Sequence, residues 1–294
     1  MSLPDKARTI NLARNLAKSL RPRIIFLSWV VYSCVVIVHN GIDVTSIILG
    51  LVLFIAMYGI VALQNDLSDI ETDRLNHRRD IPYAMGLLTE SQLMKTMLVL
   101  SIIATTTALL LNYQVLLWVG LYVTLGYIYS GPLNVKSRGV IAALLLGFCY
   151  GAMPWLIGAT ITGQLSEVSL ICMAMSSFVF SGGIIVIKDF KDIKGDTKTH
   201  KRTLLVAKGP TYTRRYYLLV TSLSYVLLTS YLYLISRNEL LAVIGTAAGL
   251  VNYWLLETRT IFSDSSSRSV RGKWARVLFF SYALSVYLMI ATKV

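Results

Sequence analysis

The feature that most limits what this chain can fold into is its succession of long apolar runs. A helix that crosses the hydrocarbon core of a bilayer needs about 20 consecutive, mostly apolar residues. By that template the sequence holds nine runs, at about 24–39, 44–64, 92–111, 114–130, 139–161, 167–187, 216–235, 240–257 and 274–292. Composition agrees: 55% of the 294 residues are hydrophobic and 15% are charged, against about 45–50% and about 25% in soluble domains. Mean hydropathy is +0.63. The sequence therefore predicts an all-α membrane protein with nine transmembrane helices. No cleavable leader is expected, because the first run follows a basic stretch and no small-residue cleavage site ends it. Cys34, Cys149 and Cys172 all lie inside apolar runs, without metal or disulfide spacing, and read as packing residues.

Basic residues set the expected orientation. Of 28 lysines and arginines, 26 fall before the first run or in the connections after the second, fourth, sixth and eighth. By the positive-inside rule the amino terminus is cytoplasmic and the carboxy terminus lies on the opposite side. The net charge of +13 is then mainly topological. It does not argue for nucleic acid, although such a face attracts anionic lipid and anionic substrate. Residues 1–23 form a cytoplasmic segment in which Ile10, Leu12, Leu16 and Leu20 alternate with Arg8, Arg14 and Lys18. It reads as an amphipathic helix on the membrane surface, with a plain polar tail as the alternative. Residues 24–294 form one domain, with motif loops at about 65–90 and 188–215.

A second feature narrows the function. Near the end of the second run the chain reads Asn65-Asp66-Leu67-Ser68-Asp69-Ile70-Glu71-Thr72-Asp73, and near the end of the sixth Lys188-Asp189-Phe190-Lys191-Asp192-Ile193-Lys194-Gly195-Asp196. Both contain D-x-x-D-x-x-x-D, and seven of the chain's 15 acidic residues lie in these two segments. On a helix, positions i, i+3 and i+7 share one face. Asp66, Asp69 and Asp73 are thus expected as one column of carboxylates, and Asp189, Asp192 and Asp196 as a second. Like charges at this spacing repel unless a cation sits among them. Hard oxygen ligands with room for water and phosphate suit Mg²⁺, and Asn65 adds a neutral oxygen. The alternative is a pair of acidic helix ends in water; repetition of the spacing on one side of the membrane argues against it.

Cations and turn formers follow each motif: Arg74, Asn76, Arg78 and Arg79, then Pro82 and Gly86; and Lys198, His200, Lys201, Arg202 and Thr203. They either neutralise the carboxylates or bind phosphoryl oxygens, which arginine does in bidentate fashion. Lys136 and Arg138 after the fourth run, Arg21 and Arg23 around Pro22, and Lys188 carry the same two readings. Tyr122, Tyr127, Tyr129, Tyr150, Trp155, Phe178 and Phe180 are candidates to line an apolar chamber, with packing or interfacial anchoring as the alternative. The two motifs, at the ends of the second and sixth runs, suggest a four-helix pseudo-repeat with a ninth helix added. His39, at the outer edge, reads as structural.

These residues together resemble the UbiA superfamily of intramembrane prenyltransferases. The likeness rests on the N-D-x-x-D-x-x-x-D segment at 65–73 and the D-x-x-D-x-x-x-D segment at 189–196. It extends to Asp73-Arg74-Leu75-Asn76, to Tyr129-Ser130-Gly131-Pro132 with Lys136, and to Gly195-Asp196 followed by Lys201-Arg202-Thr203-Leu204. The chain departs from the family's pattern at Asn76-His77-Arg78-Arg79-Asp80-Ile81-Pro82 and Tyr83-Ala84-Met85-Gly86. The resemblance implies nine helices around a central cavity capped by cytoplasmic motif loops, and Mg²⁺-dependent transfer of a prenyl group from an isoprenoid diphosphate. It implies that Asn65 and the six motif aspartates hold metal and diphosphate. Arg23, Arg74, Arg78, Lys136, Arg138, Lys188, Lys201 and Arg202 are the expected phosphate partners. Asp66, Asp69, Asp189 and Asp192 are the expected catalytic groups, with Asp189 or Asp192 a candidate base. The second motif is most similar to the quinone, tocopherol and chlorophyll branches, so an aromatic acceptor is expected. A glycerol phosphate acceptor, or cyclisation without an acceptor, remains open within the superfamily. Outside it stand a divalent-cation transporter, which the absence of acidic residues at mid-bilayer disfavours, and a scaffold subunit, which would tolerate loss of the motifs.

Overall fold

The computed structural model describes residues 3–258, 281–284 and 286 of the chain. Every regular element among the described residues is helical. The elements are α1 (Leu3–Ser19), α2 (Pro22–Asn40), α3 (Val44–Ser68), α4 (Ile70–Leu75), α5 (Glu90–Leu111), α6 (Val115–Ser130), α7 (Val140–Gly147), α8 (Met153–Ile161), α9 (Val168–Ile184), α10 (Asp189–Lys198), α11 (Leu204–Ser230) and α12 (Glu239–Thr258). Six helical stretches are long and apolar enough to cross a membrane: Pro22–Asn40, Val44–Ser68, Glu90–Leu111, Val140–Ile161, Val168–Lys188 and Leu204–Ile235. Val115–Ser130 and Glu239–Leu255 form shorter apolar helices. The eight earlier runs are thus helical, and six of them meet the length of a span. The ninth expected run lies outside the described residues apart from 281–284 and 286, which are helical.

Two spans differ from the sequence expectation, each for a local reason. The run expected at 216–235 starts earlier, at Leu204, because Gly209 (φ 79°) and Pro210 kink α11 without ending it. Proline lacks the N–H for the ladder and clashes with the preceding turn, so a kink is its usual mark. The run at 139–161 carries a π-helical turn, Phe148–Ala152, between α7 and α8.

The chain divides into two compact units. The first comprises Met1–Val30, Val44–Lys136 and Lys194–Lys201. In it α3 is the central helix and packs on α1, α5 and α6. Tyr58 of α3 stacks on Tyr122 of α6 with ring centroids 4.6 Å apart. Helix α5 starts at a reciprocal cap: Thr89 accepts from the Gln92 N–H, and the Gln92 side chain accepts from the Thr89 N–H. This satisfies two donors that a helix start leaves open.

The second unit comprises Val31–Asp43, Ser137–Ile193 and the chain from Arg202 onward. Here α9 is central, packed by α7, the π turn, α8 and α11. A Cβ on Gly151 would stand 2.6 Å from the Ser177 carbonyl carbon, so the π turn and α9 meet backbone to backbone. Several polar groups buried in this unit pair with one another. Trp155 Nε1 donates to Ser177 Oγ at 2.8 Å, and the Tyr282 hydroxyl donates to Ser176 and Ser177 at 3.0 Å. Ser224 Oγ donates to the Ser176 carbonyl. Such pairing is what makes hydroxyls tolerable between membrane helices. His39 pairs with Glu167 at 3.3 Å, in keeping with its structural reading.

Candidate active site

The first aspartate motif begins inside α3 and ends in α4. Asn65 and Asp66 lie on the last turns of α3, Asp69 sits between the two helices, and Asp73 is on α4. The chain is bent at Asp69 (φ −103°, ψ 9°), so the expected single straight column is a bent one. In the second motif, Asp189, Asp192 and Asp196 all lie on α10. Asp196 belongs to the first unit, and Asp189 and Asp192 to the second.

Cations, not a triad of carboxylates, organise the first unit's site. Among the described residues no three carboxylate, imidazole or thiol groups converge into a preformed cluster. Basic side chains stand against the acids instead. Arg21 reaches Asp66 at 2.7 Å and Asn65 at 3.1 Å. Lys136 meets Asp69 at 2.9 Å, and Lys201 meets Asp69 at 3.5 Å and Asp196 at 3.8 Å. Arg78 meets Asp73 at 3.5 Å and holds Asp80 through two bonds. Asn65 donates to Asp69 at 2.7 Å, and Lys136 to Ser68 at 2.9 Å.

Burial and charge set the protonation of these groups. Burial raises the Asp69 carboxyl, but Lys201 and Lys136 outweigh it and hold the group at about 2. Burial also raises Asp73, and with Asp69 and Asp66 adding to it the group reaches about 6 despite Arg78. Burial lowers the Lys136 ammonium, against the pull of Asp69. Opposite shifts on neighbouring carboxylates mark an environment built to distinguish them.

The two motif helices end alike. Four residues after its third aspartate each chain turns left-handed at a histidine, His77 (φ 49°) and His200 (φ 54°). The next residue's N–H bonds back to that aspartate's carbonyl: Arg78 to Asp73 at 3.0 Å, Lys201 to Asp196 at 2.8 Å. This is the helix-ending bond of a left-handed cap, made without glycine. A left-handed turn costs an L-residue about 1 kcal/mol. In both places it returns a basic side chain to the aspartate that closes the motif.

A cavity of about 510 Å³ opens beside Asp73, lined by Arg74, His77, Arg78, Arg79, Ala84 and Met85. Among the buried polar atoms of the first unit without a hydrogen-bond partner are Asp66 Oδ2, on a residue with no exposed surface, and Asn76 Nδ2. One is an anionic acceptor and the other a donor. The donor set of carboxylate and amide oxygens, with cations around it, fits a hard divalent ion carrying diphosphate. In such a complex Asn65, Asp66, Asp69, Asp73 and Asp196 would hold the metal, with Arg21, Arg78, Lys136 and Lys201 beside the phosphoryl oxygens.

Other sequence candidates are placed differently. Arg23, Arg74, Arg138 and Arg202 are exposed and Lys188 is half-buried. Asp189 is buried and Asp192 half-buried. Of the chamber candidates, Tyr122 and Tyr129 are buried in the first unit and Trp155 in the second, while Tyr150 and Phe178 are half-buried there. Of the two arginines around Pro22, Arg21 and not the exposed Arg23 reaches the carboxylates. The signal for Arg21 was available: a residue before proline is kept out of the helix, so Arg21 had to sit at the turn between α1 and α2, where its φ is 59°.

Apolar helices with two aspartate motifs at their ends mark the chain as a membrane protein that keeps ionisable groups at the ends of its spans, where they are costly and usually functional. The sequence profile of the UbiA prenyltransferase family matches residues 26–284. The chain belongs to that family and is an integral, multi-pass membrane protein. It is 27% identical over 258 residues to chlorophyll synthase of Avena sativa, covering 83% of this chain and 66% of that one. It is 29% identical over 170 residues to digeranylgeranylglyceryl phosphate synthase of Thermococcus kodakarensis, covering 56% and 57%. The chain thus spans less than two thirds of the length of these curated relatives. Among solved structures, a UbiA homologue from Archaeoglobus fulgidus bound to GPP and Mg²⁺ superposes with a TM-score of 0.72 at 17% identity, over 94% of this chain and 99% of that one. At that identity the likeness establishes the fold.

Proposed function

We propose that this protein is a Mg²⁺-dependent prenyltransferase that moves a prenyl group from an isoprenoid diphosphate to a lipophilic, aromatic acceptor. The observation that carries the reading is the buried and half-buried cluster of Asp66, Asp69, Asp73 and Asp196 with Arg21, Arg78, Lys136 and Lys201, assembled from both copies of one motif. Buried ionisable groups at a membrane edge are costly and usually functional. Mg²⁺ in the A. fulgidus homologue's complex supports the choice of metal, and the likeness to chlorophyll synthase supports a lipophilic acceptor.

In this reading the metal supplies charge neutralisation at the leaving diphosphate. The chain's own residues do the rest. Asn65, Asp66, Asp69, Asp73, Asp189, Asp192 and Asp196 hold the metal–diphosphate group. Lys136, Lys201, Arg21 and Arg78 turn from the carboxylates to the phosphoryl oxygens and stabilise the charge that develops there. Arg74 and Arg79 draw the diphosphate in from the basic cavity. The exposed Arg23, Arg138 and Arg202, and Lys188, contribute to the attracting field. Nine helices surround a chamber open to lipid, with the motifs and the amino terminus cytoplasmic, the carboxy terminus opposite, and residues 1–23 lying on the cytoplasmic face. Tyr122, Tyr129, Tyr150, Trp155 and Phe178 keep the surroundings apolar and dry, so that water does not capture the allylic cation. Asp189 or Asp192 accepts the proton that the acceptor releases.

The test is purified protein in nanodiscs with Mg²⁺ and a panel of prenyl diphosphates, first without acceptor and then with phenolic and glycerol phosphate acceptors, read by mass spectrometry. A prenyl adduct of a phenolic acceptor is the expected result. A glycerol ether adduct moves the protein to the lipid-forming branch, which the T. kodakarensis relative represents. A cyclic product without acceptor replaces transfer with cyclisation. No turnover by folded protein overturns the reading, and cation flux into liposomes would then support transport.

A further inference from the structure

The two motifs are tied together by a reciprocal pair of contacts. Asn76 lies three residues after Asp73, and its side-chain oxygen accepts from the backbone N–H of Gly195 at 2.8 Å. Gly195 immediately precedes Asp196. Thr199 lies three residues after Asp196, and its hydroxyl receives a hydrogen bond from Thr72 at 3.1 Å. Thr72 immediately precedes Asp73. In each motif, then, the residue at plus three from the closing aspartate meets the residue at minus one of the other motif. The pattern is a local two-fold relation built from the repeated segment, and all four residues lie in the first unit. The fit is close. A Cβ on Gly195 would stand 2.6 Å from Asn76 Cγ, so any other residue at 195 would push the Asn76 side chain off its bond or part the two helices.

We propose that Asn76, Gly195, Thr72 and Thr199 are positioning residues. They form a strut that fixes Asp73 and Asp196 at the separation needed to hold one metal–diphosphate group between both motifs. The inference rests on the donor reading above and adds to it a physical role for four residues that carry no charge. Asp73 and Asp196 cannot set their own spacing, because carboxylates repel. Lys201 bridges Asp69 and Asp196 with a long, flexible stem. The short Asn76 side chain on a backbone N–H is the stiffer link. Two motifs on separate elements need such a link to keep ligands within the narrow tolerance that a metal demands.

The test measures binding, apart from turnover: calorimetric titration of the full chain in nanodiscs with geranyl diphosphate at fixed Mg²⁺, alongside thermal unfolding without metal. Loss of the hydrogen bond in Asn76→Ala should weaken binding about fivefold. The clash in Gly195→Ala should weaken it by more than about tenfold. In the double variant Asn76→Gly/Gly195→Ala the clash is gone and the bond is also gone, so binding should return to the level of Asn76→Ala instead of falling by the product. Metal-free unfolding of Asn76→Ala and of the double variant should fall alike, by no more than the loss of one hydrogen bond. If Gly195→Ala does not fold, recovery of folding and binding in the double variant carries the test. Unchanged binding in Asn76→Ala, or effects that multiply in the double variant, would overturn the strut. Failure of the wild type to bind geranyl diphosphate with Mg²⁺ would instead overturn the donor reading.

Discussion

Lys136→Met removes the nearest cation from Asp69 while keeping most of the side chain's volume. Asp69 is held at about 2 against an ordinary 3.8, and each pKa unit corresponds to about 1.4 kcal/mol. The drop therefore represents about 2 kcal/mol of native-state stability at neutral pH, shared between Lys136 at 2.9 Å and Lys201 at 3.5 Å. The sign follows from linkage. A carboxyl depressed in the folded state stabilises it above the unfolded pKa, and that stability is lost as pH falls through the folded pKa. At pH 3 about half remains. Burying the Lys136 ammonium is itself unfavourable, so the net loss in Lys136→Met is about 1 kcal/mol at pH 7, shrinking by half at pH 3. Unfolding in mixed micelles titrated with SDS, at both pH values, measures it. An effect of equal size at pH 7 and pH 3, or none at pH 7, would refute the claim that Lys136 acts on the protein through the Asp69 charge.

Three further outcomes are expected. With Asp73 at about 6, a proton competes for the carboxylate as pH falls through that value, so Mg²⁺-dependent geranyl diphosphate binding should weaken several-fold between pH 7.5 and 5; a flat titration would remove Asp73 from the ligand set. Trp155→Phe deletes the bond to Ser177 and should lower stability by about 1 kcal/mol, read by SDS titration. Gly151→Ala forces a methyl group toward the Ser177 carbonyl and should lower stability by about 3 kcal/mol, with little folded protein recovered by size exclusion.

Much of this arrangement was legible in the sequence. Apolar runs place helices because hydrophobic length is a property of the chain alone. The paired aspartates, Arg78 and Lys201 could be found because chemistry repeated at fixed spacing is visible without a fold. What stayed hidden depends on a second element arriving. Arg21 lies 45 residues from Asp66 and looks like one more topological charge until its turn brings it to 2.7 Å. Nothing in the sequence says that Asn76, 119 residues away, occupies the space beside Gly195. The bend at Asp69 and the cations at each carboxylate were also beyond periodicity, which assigns a face to a residue but not the partner that will stand there. The histidine and basic pair at plus four and plus five from each closing aspartate, His77-Arg78 and His200-Lys201, repeats as regularly as the aspartates do.

The central claim is that the doubled motif binds metal and diphosphate for prenyl transfer, and one measurement tests it most directly. Purified protein would be given radiolabelled geranylgeranyl diphosphate and a phenolic acceptor pool, with and without Mg²⁺, beside Asp66→Asn. That variant keeps the shape of a side chain with no exposed surface and removes its charge. Label should pass to acceptor only with Mg²⁺, and the rate should fall by at least about a hundredfold in Asp66→Asn, the scale of losing one electrostatic group at a reacting centre. Undiminished transfer by folded Asp66→Asn, or equal transfer without Mg²⁺, would contradict the account.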